Sequence, residues 1–517
     1  MPRRPALSPR HLLLTPPLLL AACGGASLRE APPAPGCEVA CDAAPLAPTR
    51  ARLEAEPAPP DATPHQGEEY VEYGVRPFVH AAADPLSTFA VDVDTGSYTI
   101  ARRKLREGAL PPPAAVRAEE FVNYFRPGVT APVEAAFAVH TELAPSPFRP
   151  GRALLRVVLQ ARRPVERPPV NLVFLVDTSG SMRSPDKLPL VVRSLSLLTE
   201  ALRPDDRVAV CTYAGDTRVV LPPTPVSERA SILGALRGLE AAGSTAMGSG
   251  IELAYGLAAR MARPGSATRV IVCSDGDANV GPTSHQQILA LIQRQRAAGV
   301  TLGTVGFGMG NYRDGLMEQL ANQGDGSYAY VDSEAEARRL FQEDLTSSLQ
   351  LVARDAKVQV AFDPARVARY RLVGYENRAI LDEQFRDDRV DAGEVGAGHA
   401  VTAFYELELA PDSQGPLGEV RLRWRDAEPL PEDPAHELCT PLPAEQAPGF
   451  ALASPRFRVQ ACAAELAEVL RRSPHVTTRP EEVLPLLEEA LDPRGDEREQ
   501  ELLELTRRAA ALARAGL

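Results

Sequence analysis

"NLVFLVDTSGSM", Asn171 to Met182, is the stretch that decides the fold. An unbroken apolar run leads directly to Asp177, and such a run is typical of a strand buried on both faces of a parallel sheet. Ser179 and Ser181 follow at alternate positions. Carboxylate and hydroxyl oxygens are the ligands that Mg²⁺ prefers. The D-x-S-x-S spacing therefore predicts three oxygen side chains turned toward one point at the end of a strand.

The segment around this stretch, residues 168–348, alternates apolar runs with helical patterns, which predicts an α/β fold with a doubly wound, mostly parallel sheet. "RVIVCSD" repeats the pattern of an apolar run followed by an aspartate, here Asp275. Thr245 lies in the glycine-rich stretch "AGSTAMGSG". Since ligands of such sheets bind at the carboxyl ends of strands, we expect Asp177, Asp275 and Thr245 to lie close together.

Residues on both sides of this segment follow other patterns. A short strand, two helices and two alternating strands are predicted in 67–165, and residues 355–426 alternate in period two, as antiparallel strands do. We expect these strands to form one β-sandwich-like layer beside the central domain. The proline-rich passage 429–455 reads as irregular. Helices are predicted in 454–517, which completes a C-terminal flanking domain, 349–517.

The N-terminal residues carry export signals. An apolar run from Leu12 to Leu20 follows three arginines and is too short to span a bilayer, which predicts a signal peptide over 1–22. "LAAC", ending at Cys23, resembles the bacterial lipobox, which implies lipid on Cys23; Gly24 after it implies sorting to the outer membrane. A plain signal peptide cut near Ala22 is the alternative. Residues 23–66, rich in Ala and Pro, read as a disordered tether.

Composition excludes some functions. The 517 residues carry a net charge of −12 without a Lys/Arg block, which argues against nucleic acid as a partner. There is no C-x-x-C among the seven cysteines, so a zinc site is not expected. Cys37 with Cys41 and Cys439 with Cys462 are candidate disulfides in an oxidising compartment.

The loop that follows Asp177 and carries Ser179 and Ser181, here called the serine loop, resembles the metal-ion-dependent adhesion site of von Willebrand factor type A domains. The resemblance implies that Ser179, Ser181 and Thr245 bind an ion, while Asp177 and Asp275 bind it directly or through water. It implies Mg²⁺ as the cofactor, with Mn²⁺ or Ca²⁺ as alternatives, and a protein partner that offers an Asp or Glu carboxylate. Two further stretches, "DVDTGSYTIARRKLREGALPPPAAVRAEEFVNYF" and "YRLVGYENRAI", resemble the flanking regions of bacterial lipoproteins with this domain.

Three readings of function follow. The first, which we favour, is a membrane-anchored, extracytoplasmic binding protein without catalysis. The second is an envelope scaffold whose metal only stabilises the fold. The third is an aspartic-type peptidase, because "DTGS" begins at Asp94, although no second aspartate stands in a matching setting. A plainer alternative for the site itself is that Ser179 and Ser181 cap the helix that follows and that Asp275 starts a turn.

Overall fold

The computed structural model describes most of the chain after the expected tether. The expected signal peptide, Cys23, the tether and the candidate pair Cys37 and Cys41 lie outside the described residues, as does Thr245. The described residues are 68–91, 94–163, 166–243, 247–276, 282–308, 312–344, 349–390, 392–411, 415–427, 433–492 and 495–516.

A six-stranded sheet forms the centre, as the alternating pattern predicts. Its strands are β5 (Val170–Asp177), β6 (Arg207–Tyr213), β7 (Thr217–Pro225), β8 (Ala267–Ser274), β9 (Val300–Phe307) and β10 (Tyr328–Val331). They lie in the order β10-β9-β8-β5-β6-β7, and only β7, at the edge, runs antiparallel to its neighbour. Every residue of β5 is buried. The predicted doubly wound, mostly parallel sheet is confirmed.

Helices cover both faces of this sheet. They are α3 (Leu188–Ala201), α4 (Arg229–Arg237), α5 (Met247–Met261), α6 (Pro282–Ala297), α7 (Asp314–Gln323) and α8 (Glu334–Arg338), with a π-helical turn at Arg339–Glu343. Phe174 of β5 joins one core with Leu195 of α3, and Leu175 joins the other with Ile251 of α5. Successive residues of a strand point to opposite faces, so one strand serves both cores.

Two antiparallel sheets pack beside the central domain. One has the order β1-β12-β14-β4-β3; in the other, β13-β11-β15-β16, β2 also pairs with β11. Their strands are β1 (Val79–His80), β2 (Leu86–Ala90), β3 (Phe137–Pro145), β4 (Ala153–Ala161), β11 (Leu351–Phe362), β12 (Val367–Val373), β13 (Val395–Gly396), β14 (Ala400–Leu409), β15 (Gly418–Asp426) and β16 (His436–Pro441).

Strands from before and after the central domain share these sheets, as expected. Leu155 of β4 pairs with Tyr405 of β14, and Phe89 of β2 pairs with Val358 of β11. All four side chains belong to one core between the two sheets. The β-sandwich-like layer is therefore confirmed, while the predicted domain boundaries stay predictions.

The expectation that 429–455 is irregular is wrong in part. Strand β16 lies within it and pairs with β15 from Glu419↔Pro441 to Trp424↔His436. It is the outer strand of its sheet and largely exposed. A proline is tolerated at such an edge because the strand needs hydrogen bonds on one side only.

The pairing of Cys439 with Cys462 is also wrong, because both thiols are free. Cys439 is exposed on β16, where its Sγ donates a hydrogen bond to Glu419 Oε2 at 2.9 Å. Cys462 is buried in the C-terminal helical layer. The sequence does not show how far apart the two cysteines lie in the folded protein.

A helical layer lies against one face of the sandwich. It contains α1 (Gly96–Arg106), α2 (Ala118–Asn123), α9 (Pro455–Leu470), α10 (Pro480–Ala490) and α11 (Glu497–Ala515). Phe121 of α2, Phe457 of α9 and Leu502 of α11 share a core with Phe404 of β14. Within the described part of the chain, none of the helices combines the length and apolarity needed to cross a membrane.

Buried ion pairs join this layer to the central domain. Arg117, just before α2, bonds Asp314 of α7 at 2.7 Å, and Arg102 of α1 bonds Asp332 and Glu336. All five side chains are less than 6% exposed. Removing one member of a buried pair leaves the other charge uncompensated, so these contacts hold the two parts in a defined arrangement.

Candidate functional site

Asp177 lies at the end of β5, fully buried at the carboxyl edge of the central sheet. Its Oδ1 accepts a hydrogen bond from the backbone N–H of Ser179 at 2.8 Å, and its Oδ2 accepts one from the Ser274 hydroxyl at 3.0 Å. Burial raises the pKa of Asp177, the hydrogen bonds from Ser179 and Ser274 oppose that rise, and the nearby charge of Asp275 adds to it. The two neighbouring strands thus hold one carboxylate in a fixed orientation.

The serine loop follows this carboxylate directly. Its Ser179 and Ser181 hydroxyls hydrogen-bond each other, with their oxygens 3.0 Å apart. The loop is held by two backbone hydrogen bonds to the chain after α4: Gly180 N to Gly243 O at 3.0 Å, and Ala242 N to Thr178 O at 2.7 Å. A short 3₁₀ helix, Gly180–Arg183, follows with Ser179 at its N-cap position but without a side-chain capping hydrogen bond, and α3 begins only at Leu188, with Lys187 at its cap. The Ser179 hydroxyl therefore caps neither helix.

Asp275 follows β8 directly and is fully buried. Its Oδ2 accepts a hydrogen bond from Lys187 Nζ at 2.8 Å. Beside it, the Ser274 hydroxyl that donates to Asp177 also accepts from the Gly276 N–H at 3.0 Å. Because β5 and β8 are adjacent and parallel, the two aspartates meet at the same edge of the sheet.

The structure therefore brings together four of the five predicted site residues, Asp177, Ser179, Ser181 and Asp275. Thr245 lies outside the described residues, between Gly243 and the start of α5. The assignment of all five as metal ligands stays a prediction.

Sequence reasoning missed two members of the site. Ser274 is the last residue of a buried apolar strand. A hydroxyl at that position could have been recognised in the sequence as a possible member of the site. Lys187 carries no such signal, since it stands ten residues beyond Asp177 in an irregular stretch. Only the folded chain places its ammonium group against Asp275.

The arrangement fits a hard divalent cation. Octahedral Mg²⁺ with bonds of about 2.0 to 2.1 Å places neighbouring ligands about 2.9 Å apart. The hydrogen-bonded hydroxyls of Ser179 and Ser181, with 3.0 Å between their oxygens, are already close to that spacing. Among the described residues no group of three or more His, Cys, Asp and Glu side chains could hold a metal, so an ion here would depend on the hydroxyls.

Asp94, the candidate catalytic residue of an aspartic-type peptidase, forms structural contacts away from the candidate metal site. It is 3% exposed, and its Oδ1 accepts a hydrogen bond from the backbone N–H of Tyr328 at 2.8 Å, while Oδ2 pairs with Arg378 at 2.9 Å. These contacts fasten the first residues of β10 to the segment before α1. These structural contacts explain why an aspartate is buried at this position without a catalytic role.

Comparison with known proteins agrees with this architecture. The family "von Willebrand factor type A domain" matches residues 171–344, "von Willebrand factor" matches 64–156, and "Uncharacterized protein YfbK, C-terminal" matches 347–416.

Individual relatives match over different lengths. YfbK of Escherichia coli, itself uncharacterized, is 43% identical over 373 residues, which cover 70% of this chain and 65% of that protein. The uncharacterized protein sll0103 of Synechocystis is 30% identical over 34% of this chain and 42% of its own length. A solved von Willebrand factor type A structure from Catenulispora acidiphila is 17% identical, covers 74% of this chain and 91% of its own, and has a TM-score of 0.43. The chain thus has a von Willebrand factor type A domain over residues 171–344, followed by a region, 347–416, that matches the YfbK C-terminal family.

Proposed function

We propose that this protein is a membrane-anchored, extracytoplasmic binding protein that contacts a protein partner through a divalent ion held at the carboxyl edge of the central sheet. The observation that carries the proposal is the pair of Ser179 and Ser181 hydroxyls, 3.0 Å apart, on the loop that directly follows the buried carboxylate of Asp177. The match to the von Willebrand factor type A family supports a role in protein binding or adhesion.

Each residue has a defined part in this proposal. Asp177, Ser179, Ser181, Thr245 and Asp275 would hold Mg²⁺, with Mn²⁺ or Ca²⁺ as alternative ions. Neutral hydroxyls leave a divalent ion under-neutralised, so bound Mg²⁺ would supply an open position for an Asp or Glu carboxylate of the partner. The hydrogen bonds to Asp177 keep its carboxylate oriented without the ion. The role is binding, and no catalysis is proposed.

The first experiment measures metal binding directly. Calorimetric titration of Mg²⁺ into the purified, EDTA-stripped protein should show one site, and Asp177→Ala should weaken it at least tenfold because a buried ligand is lost. Asp186→Asn is the matched control: this carboxylate lies in the same loop but bonds Arg103 and Ser184 instead of the site. Equal binding by the wild type and Asp177→Ala would refute the site.

The second experiment separates binding from scaffolding. Envelope proteins retained by the wild type with Mg²⁺, but not with EDTA and not by Asp177→Ala, would support capture through the site. The scaffold reading predicts instead that EDTA lowers the melting temperature while retention stays the same. The buried Lys187–Asp275 pair argues against this alternative, since it holds part of the site together without an ion.

The location of the protein is part of the proposal. We place lipid on Cys23 and expect the mature chain at the outer membrane, with residues 23–66 as the tether. The support is the lipobox-like "LAAC" after a short apolar run, together with Gly24.

A further inference from the structure

Lys187 is an unexpected member of the site because it brings a positive charge to the place proposed for a cation. The residue is only 6% exposed, and its Nζ lies 2.8 Å from Asp275 Oδ2. Its backbone is fixed at the start of α3: its N–H bonds Ser184 O at 3.0 Å, and its carbonyl accepts the N–H of Val191 at 2.9 Å. The hydrogen-bonded backbone of Lys187 therefore positions its ammonium group at the site.

The fold leaves room for this side chain at one glycine. Gly308, directly after β9, has a φ of +74°, and a Cβ there would clash with Lys187 Cγ and Cε. The Tyr330 hydroxyl donates a hydrogen bond to Gly308 O at 2.8 Å, and Arg103 bonds that hydroxyl at 2.9 Å. A side chain at position 308 would occupy the space that the Lys187 side chain fills. The glycine therefore allows the lysine to reach Asp275.

The charge of Lys187 acts on metal and ligand in opposite directions. Burying an ammonium group requires compensation, which Asp275 provides. A divalent ion at the same site is repelled by the ammonium, and an anionic group approaching the ion is attracted by it. Whatever other charges surround the site, an uncharged residue at 187 makes it more negative by one charge.

We propose that Lys187 sets the charge balance of the metal site, so that the site holds its divalent ion less tightly but attracts a carboxylate more strongly. This inference rests on the proposed function and adds a residue that determines ligand preference. Lys187 does this as a resident counter-charge to Asp275 and is not itself a metal ligand. In the absence of an ion, the same ammonium keeps Asp275 paired within the protein.

The test compares the wild type with Lys187→Met, and with Lys187→Gln as a second uncharged variant. Mn²⁺ binding to the EDTA-stripped proteins is followed by electron paramagnetic resonance. Acetate is then titrated into the Mn²⁺-loaded proteins and followed by water-proton relaxation. Lys104→Met is the matched control, because it removes a lysine of α1 that pairs with Glu68 and not with a proposed metal ligand.

Both uncharged variants should bind Mn²⁺ about tenfold more tightly and acetate several-fold more weakly, while Lys104→Met matches the wild type. Their melting temperatures should fall without metal and rise more than that of the wild type when Mn²⁺ is added. A merely structural lysine would not shift the two affinities in opposite directions. Unchanged or parallel shifts, with wild-type binding intact, overturn this inference alone. Failure of the wild type to bind Mn²⁺ overturns the proposed metal site as well.

Discussion

At the scale of single residues, several carboxylates of this chain are buried against one another. Glu119 on α2 is 3% exposed, and the backbone of Gly374 lies so close that a Cβ there would be 2.7 Å from the Glu119 N. Burial raises the pKa of Glu119 to about 7, and the charges of Glu376 and Glu120 add to the rise. A carboxyl group in this setting holds its proton near neutral pH.

A pH dependence of stability follows from Glu119. Because its pKa in the folded protein lies above the usual 4.5, the folded state binds the proton more tightly than the unfolded state, so stability falls as pH rises from about 4.5 to about 7. This contribution amounts to about 3 kcal/mol. Glu119→Gln lacks it, so the wild type should lose stability against the variant over this range in urea unfolding. Parallel pH profiles of the two proteins would contradict the assignment.

At the scale of elements, strands far apart in sequence depend on each other. In β11, Val358 pairs with Phe89 of β2 on one side and Leu422 of β15 on the other. In β14, Tyr405 pairs with Leu155 of β4. Without β2 and β4, the C-terminal sheets would expose strand edges and half of a shared core, which promotes aggregation.

This interleaving predicts how fragments behave. Residues 349–516 expressed alone should be insoluble or show no cooperative melt by circular dichroism. Residues 166–344 should fold, because the central sheet has cores of its own on both faces. Co-expression of 68–163 with 349–516 is the control and should recover soluble material. A cooperative melt of 349–516 alone would show that its strands do not need those of the N-terminal region.

At the scale of the whole molecule, the first described residues lie near the candidate site. The N–H of Glu69 bonds Tyr312 O at 3.2 Å, and Glu69 forms a β-bridge with Arg313. Arg313 is in turn close to the site, since a Cβ on Gly276 would lie 2.8 Å from its N. The first described residues therefore pack next to the sheet edge that carries the candidate site.

The proposed anchor is tested on the whole protein in cells. Radiolabelled palmitate should be incorporated into the wild type and not into Cys23→Ser, because Cys23 is the only proposed lipid attachment. The wild type should fractionate with the outer membrane and the variant should be soluble in the periplasm. A mature wild-type protein that is unlabelled and cut near Ala22 would instead support the plain signal peptide.

Most of the candidate site could be predicted from sequence because its signals are local. The apolar runs of β5 and β8 end at Asp177 and Asp275, and parallel neighbouring strands must present those ends at one edge. The alternating pattern of β15 likewise predicted an antiparallel strand, since a strand with one buried face repeats every two residues. Strand β16, bordered by prolines, escaped this reading.

By itself, the sequence determined the central α/β sheet, the antiparallel flanking layer and the two aspartates with two serines at one edge. Only the tertiary structure decided that Lys187 pairs with Asp275, that Ser274 bridges to Asp177, and that Cys439 and Cys462 remain apart. The physical reason is that periodicity records which face of each element is buried. Which distant residues meet depends on the path of the whole chain, and no local pattern records that path.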